Sequence, residues 1–292
     1  MSENVITSYK GFDKDMKCRD FQYEVGKEYN MDGEIKCCNR GFHACKSPLE
    51  VWDHYDMLNS RFAEVEQSGK IDEEEKSTKV CSSHIKIKAE LKLADIINIG
   101  VEWLKDITSP SKVKTDGVLN DNGDRKKQIG SSGYSAKIGS SGDYAQIGSS
   151  GDYAQIGSSG YSAKIGSSGD YAQIGSSGYS AKIGSSGYSA KIGSSGDSAQ
   201  IGSSGDSAQI GSSGYSAKIG STGDDSVIMC AGNSSIAKAK VGSWITLAEW
   251  KWSDEKKRDV PVCVKTEYVD GENIKADTWY QLKNGKFVEV NE

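Results

Sequence analysis

IGSSGDYAQIGSSGDYAQIGSSGYSAK, residues Ile138 to Lys164, is three consecutive copies of one nine-residue unit. Isoleucine opens each of eleven units, at 129, 138, 147, 156, 165, 174, 183, 192, 201, 210 and 219, followed by Gly-Ser-Ser-Gly or, in the last, Gly-Ser-Thr-Gly. Between successive isoleucines come only three fillings, Tyr-Ser-Ala-Lys, Asp-Tyr-Ala-Gln and Asp-Ser-Ala-Gln. Gly/Ser-rich composition by itself reads as a flexible linker. Register decides otherwise, because Ala and Ile recur two residues apart in every unit and alternate residues of a strand share a face. The block is predicted to be a parallel β-solenoid of nonapeptide repeats.

One unit buries too few atoms to enclose a core, whereas two facing units can. Eighteen residues per coil are therefore expected, with coils of 27 residues ranked second because Ile and Ala cannot fill the larger interior. At about 4.8 Å per coil, five and a half coils span roughly 26 Å. Ala-x-Ile is expected to point inward, the flanking Ser, Tyr, Lys and Gln outward, and Ser-Ser-Gly to form the corner, with glycine supplying backbone angles that other residues resist. The open ends of such a ladder invite edge pairing, so folded caps are expected at both termini.

The flanks supply them. Residues 1–108 read as an α+β domain: strands Ile6 to Phe12, Phe21 to Tyr29, Arg61 to Glu66 and Lys79 to Leu91, and a short helix Pro48 to Tyr55. An amphipathic helix follows, with Leu93, Ile96, Ile97, Val101, Leu104 and Ile107 on one side, as the plug of the first coil; Ser109-Pro110 stops it. Residues 109–128 read as a linker and 129–242 as the solenoid, with Ile228 to Val241 a degenerate last coil. Residues 243–292 read as a small antiparallel cap with strands Trp244 to Trp252, Val262 to Tyr268, Thr278 to Leu282 and Phe287 to Val290, and hairpin turns at Asp270-Gly271 and Asn284-Gly285. The overall class is mainly β.

Formal net charge is −5, and no segment is a basic stripe: residues 1–120 carry 22 acids and 18 bases, the repeats five of each, and residues 224–292 twelve and ten. That distribution argues against a nucleic-acid partner. No signal-like or eighteen-residue apolar run is present, so a soluble, cytoplasmic protein without membrane contact is expected. Seven scattered cysteines fit reduced thiols better than a disulfide framework.

The densest reactive cluster is Cys37, Cys38, His43 and Cys45. Thiolates and an imidazole so close could hold zinc, yet the spacing matches no paired-ligand motif. A nucleophile pair of Cys45 with His43 or His84 lacks an orienting third group. Tyr9-Lys10-Gly11, Gly41-Phe42-His43 and Glu64-Val65-Glu66 loosely resemble the basic, middle and Glu-x-Glu motifs of ADP-ribosyltransferases, with Lys10 where arginine or histidine is usual and no Ser-Thr-Ser element. Buried thiols and a structural histidine are the simpler reading, and no catalytic residue, metal or cofactor is assigned.

The outward tyrosines Tyr134, Tyr144, Tyr153, Tyr161, Tyr171, Tyr179, Tyr188 and Tyr215 are the candidate binding residues, since exposed aromatic ladders take carbohydrate, base or protein surfaces. Against that, alternating Asp, Lys and Tyr could merely keep coils soluble and paired. The whole pattern resembles a group of uncharacterised phage and prophage proteins of low-GC bacteria. The likeness rests on Tyr9-Lys10-Gly11-Phe12, Gly41 to Cys45 with Pro48-Leu49, Arg61 to Glu66, the Asp-Tyr-Ala-Gln-Ile-Gly-Ser-Ser-Gly repeats, and Gly242-Ser243-Trp244 through Ala248-Glu249-Trp250. The resemblance implies a phage accessory protein with host-defence antagonism as its role. The expected function is a non-enzymatic scaffold that binds a host protein, with homo-oligomerisation possible through exposed coil edges. Alternatives are an ADP-ribosyltransferase-like enzyme with the solenoid as spacer, and a carbohydrate-binding or virion-surface adhesin.

Overall fold

A computed structural model describes residues 5–74, 77–108, 118–120 and 125–291, the segment 118–120 by its backbone alone. The expected stop at Ser109-Pro110 lies outside the described residues. Contacts divide the chain into two compact units, Met1–Trp103 and Leu104–Glu292.

In the first unit the strands are β1 (Ile6–Phe12), β2 (Lys17–Cys18), β3 (Phe21–Gln22), β4 (Glu28–Asn30), β5 (Phe42–Cys45), β6 (Arg61–Glu73) and β7 (Lys79–Leu91). β1 pairs antiparallel with β5 and β6, and β7 pairs with β5 and β6 in turn, so these four strands close on themselves. Closure leaves no free edge between them. Phe12, Phe42, Ala44, Val65, Ile85 and Ile87 pack inside. The expected strand from Phe21 to Tyr29 is two short ones, β3 and β4, because the chain turns between them with Gly26 at φ +86°. The expected helix at Pro48 is a 3-10 turn, Leu49–Asp53. Helix α1 (Leu93–Thr108) buries Ile96, Ile97 and Val101, and a Cβ on its Gly100 would lie 2.6 Å from Leu49. Around Gly100 that face packs against the 3-10 turn.

The second unit is the solenoid. Each strand pairs in parallel with the strand eighteen residues on, Ile138 beside Ile156 beside Ile174 and Ile147 beside Ile165 beside Ile183. Two repeats therefore make one coil, and two nine-stranded sheets face each other. The stack continues beyond the repeats to about seven turns. Val118–Asn120, inside the expected linker, pairs with Lys137–Ser140 as the first rung of one sheet. At the far end Val227–Cys230 and Ile236–Lys238 continue both sheets as the expected degenerate coil. The eighteen-residue register is kept, but Ala237 takes the isoleucine column beside Ile219, and Ile236, at the last position of the preceding unit, falls beside Lys218.

Two expectations about the coil are corrected. The serine two residues after each isoleucine points inward, as Ser149, Ser167 and Ser185 do at 0% exposure, so the core is Ala, Ile and Ser. Strict alternation along Ala-x-Ile-x-Ser requires this. Corner glycine is not there for its dihedral freedom. The left-handed residues are Ser135, Tyr144, Tyr153, Ser162 and their equivalents, two positions after the corner glycine, with φ of 58°, 58°, 59° and 51°. Glycine is required because successive corners touch: a Cβ on Gly151 would lie 1.9 Å from the Gly133 carbonyl oxygen, and one on Gly187 2.0 Å from that of Gly169. The hydrogen-bond ladder runs unbroken through these corners, as in Ser159 N–H to Ser140 O at 3.0 Å and Tyr153 N–H to Asp170 O at 2.8 Å.

The C-terminal strands are not one separate sheet. Trp244–Ser253 adds in parallel to Val227–Cys230 and then pairs antiparallel with Arg258–Tyr268, while Tyr280–Lys283 adds to the other sheet and pairs with Lys286–Glu289. Each solenoid sheet thus ends in its own hairpin. Asn284 (φ 49°) and Gly285 (φ 67°) make the expected tight turn. Asp270-Gly271 joins the two sheets instead, its loop held by the Asp270 carboxylate, which accepts the N–H groups of Glu272, Asn273 and Ile274. The outer strand Arg258–Tyr268 carries Pro261, Lys265 and Arg258, residues that discourage further edge pairing.

Candidate functional site

All eight candidate tyrosines lie at solenoid corners. On one edge Tyr134, Tyr153, Tyr171 and Tyr188 form a continuous ladder, with ring centroids 5.3, 5.0 and 5.7 Å apart. On the other edge Tyr144, Tyr161 and Tyr179 follow at 5.5 and 5.4 Å. Tyr215 stands apart beyond Asp197-Ser198. In the sequence neither edge is uniform at the corner position, since Tyr and Asp alternate irregularly there. The structure resolves this, because Tyr-Ser and Asp-Tyr fillings deliver a ring to the same column from adjacent positions. The aspartates instead tie one coil to the next. Carboxylates of Asp143, Asp170 and Asp197 accept the N–H of Tyr161, Tyr188 and Tyr215 at 2.8 to 3.0 Å.

Between the two ladders runs the outer face of the sheet that holds Ile138, Ile156, Ile174, Ile192 and Ile210. It forms an open trough floored by Gly157, Gly175, Gly193 and Gly211. A Cβ on any of these four would meet nothing within 4 Å, and none has a left-handed φ. The row beside them is Gln155, Gln173, Lys191 and Gln209, ending in exposed Val227 and Trp244, with Met229 exposed on the glycine row.

The N-terminal unit contains a cavity of about 720 Å³ lined by parts of β1, the β2–β3 hairpin, residues 38–45, the 3-10 turn and Lys79. Lys10 is 3% exposed at its wall. Its ammonium donates to the His43 carbonyl at 3.0 Å and to Cys18 Sγ at 3.5 Å, and lies over the Phe12 and Tyr23 rings at 5.5 and 5.4 Å. Among the described residues no carboxylate pairs with it, and burial lowers its pKa. Tyr55 Oη meets Cys18 Sγ at 3.0 Å, and burial followed by the Cys18 contact pushes the phenol up. Arg19 and Cys38 at this cavity both have left-handed φ, 56° and 64°, a conformation that costs energy for non-glycine residues and concentrates at functional sites.

Residues 6–99 match DUF7666, a domain of unknown function. No curated protein and no solved structure matches the chain.

Within the matched segment the expected reactive cluster is taken apart. Among the described residues no three His, Cys, Asp or Glu side chains come together as a metal site. Cys37 bonds the Asp72 carbonyl at 3.2 Å, Cys38 is exposed beside Lys79, and Cys45 is buried. His43 Nε2 accepts the Cys38 N–H at 3.0 Å, so that nitrogen is unprotonated. Burial, then Lys10 and Lys79, lower the pKa of His43. His84 bonds Ser68 at 2.6 Å. Neither imidazole serves Cys45, whose thiol is pushed up to about 12, first by burial and then by Glu50. The three ADP-ribosyltransferase-like elements do not converge either. Lys10 stands opposite Ala63 and Tyr9 opposite Glu64, so Lys10 and the Glu64/Glu66 pair project from opposite faces of the sheet. Glu66 pairs with Lys88 at 2.7 Å. Sequence reasoning does not single out Cys18, Arg19, Tyr55 and Lys79 as residues that share a cavity with Lys10. The one signal in the chain is Lys10 itself, on the same face of β1 as Ser8 and Phe12. Among the described residues, no helix is long and apolar enough to cross a membrane.

Proposed function

We propose that the protein is a non-enzymatic interaction scaffold, a phage or prophage accessory protein that binds a host protein along the open trough of the solenoid and thereby antagonises host defence. The setting comes from the family resemblance, and the surface from one observation. Gly157, Gly175, Gly193 and Gly211 are glycine where the fold has room for a side chain and asks for no special dihedral. Glycine inside a strand costs about 0.5–1 kcal/mol relative to alanine. Its usual justification there is the close approach of another backbone or ligand. The tyrosine ladders support the same reading as rims, since aromatic side chains are enriched among interface anchors. Tyr153 and Tyr171 hold left-handed φ of 59° and 56°, where the Asp-Ser fillings place the easier Ser198 and Ser207.

The test is affinity capture from host lysate with the parent chain, with Gly175→Lys, and with Tyr153→Ser/Tyr171→Ser. A protein retained by the parent and lost from both variants, with their melting temperatures preserved, supports the reading. Retention by all three chains alike, or by none, contradicts it.

A further inference from the structure

We infer that the cavity of the N-terminal unit is a binding site for a small organic anion carrying a planar ring, of about mononucleotide size. The cavity is within the range of small-molecule pockets, roughly 300–1,000 Å³. Its charge is lopsided. Lys10, Arg19, Arg40 and Lys79 line it against a single carboxylate, Asp20, in a chain whose net charge is −5.

Lys10 is the deepest of these cations. A buried ammonium that meets only a carbonyl, a thiol and two ring faces is held at a cost. An anion in the cavity would supply the missing counter-charge and lift the lysine pKa back toward its ordinary value. Structural use of Lys10 alone would be served better by an apolar side chain of similar length.

The ring component follows from the mouth of the cavity. Phe21 meets Tyr23, Tyr29 and Phe42 edge-on at 4.8, 5.3 and 6.3 Å and is still 45% exposed there, so the aromatic cluster presents its open side to a flat group. Arg19 lies two residues before it, in a strained conformation that β2–β3 pairing holds in place. Charge deep in the cavity and an aromatic face at the rim together select an anion attached to a ring over either part alone. This site is independent of the trough on the solenoid and involves none of its residues.

The experiment is calorimetric titration of the full chain with AMP, phenyl phosphate, adenosine and inorganic phosphate. AMP and phenyl phosphate are expected to bind at least about tenfold more tightly than adenosine or phosphate, a factor that corresponds to one charge-assisted contact. Lys10→Met is expected to abolish this binding. Arg19→Asn, which keeps an exposed left-handed position acceptable, and Phe21→Ala are each expected to weaken it by about tenfold. Arg19→Asn decides the matter should Lys10→Met fail to fold. Absence of binding by both ring-bearing anions overturns the inference. So does binding that is indifferent to Arg19→Asn, or phosphate binding as tight as that of AMP.

Discussion

The solenoid and the N-terminal unit place their informative residues in opposite ways. In the solenoid one arrangement recurs every eighteen residues, so each position can be compared with its copies, and a residue the fold does not need is visible as such. Gly187 and Gly193 show the contrast: a Cβ on the first would strike a backbone oxygen at 2.0 Å, and on the second would meet nothing. In the N-terminal unit every residue occurs once. Lys10, Cys18, Tyr55 and Lys79 meet only through the closure of β1, β5, β6 and β7 and the turns between them. Repetition separates scaffold from surface along the chain; a single-copy domain reveals that separation only in space.

The most severe disturbance of this contrast is a side chain at a corner. Gly187→Val drives its Cβ into the Gly169 carbonyl, whose coil cannot shift without breaking the ladder above and below it. A loss on the order of 3–5 kcal/mol is expected, read as a fall in the urea midpoint. A loss below about 1 kcal/mol would mean the corners are looser than they look.

In the N-terminal unit the expected sign is reversed. Lys10→Met removes a buried charge without a carboxylate partner, and a gain of about 1 kcal/mol is expected at neutral pH. The pH profile carries the same sign. Because the folded-state pKa of Lys10 lies below its ordinary value of 10.5, the folded chain binds fewer protons than the unfolded one between those two values. Stability of the parent relative to Lys10→Met therefore rises with pH through that window, and the penalty is constant below it. Denaturation midpoints at several alkaline pH values check both statements.

A smaller effect tests whether the ladders belong to the fold or to the surface. Tyr153→Ser/Tyr171→Ser converts two Asp-Tyr fillings into the Asp-Ser filling already present at Asp197-Ser198 and Asp206-Ser207. Lost ring stacking, about 0.5–1.5 kcal/mol per pair, is offset by relief of two left-handed tyrosines. The net change in stability is expected to stay within about 1 kcal/mol by thermal denaturation. A larger loss would assign the ladders to folding.

Much of the solenoid is legible in the chain alone, because period and alternation are properties of the sequence: the two-repeat coil follows from Ala-x-Ile and from the volume those side chains can fill. What escapes depends on contact between coils. No local pattern says that a corner glycine faces the carbonyl of the corner eighteen residues earlier, nor that Tyr at adjacent positions, as in Tyr134 and Tyr153, reaches one column. The inward serines could have been read from strict alternation. At the C-terminus the four strands are recognisable, but their division between two sheets is not, since Asp270-Gly271 is a turn signal that does not tell a hairpin from a crossover. The cavity is least legible of all. Its residues are spread from Tyr9 to Lys79, and the cysteine-histidine cluster that looks reactive in sequence is dispersed because each member is engaged separately: Cys37 is drawn to Asp72, the His43 imidazole is taken by the Cys38 N–H, and Cys45 is buried.

The division between fold-required and surface glycines is decided by equilibrium urea denaturation of Gly175→Thr in the full chain. A β-branched residue suits an open strand position with nothing near its Cβ, so the midpoint should equal or exceed that of the parent. A fall as large as that of Gly187→Val would mean the open glycines are needed to build the coil, and the trough would no longer stand out as a surface kept clear for a partner.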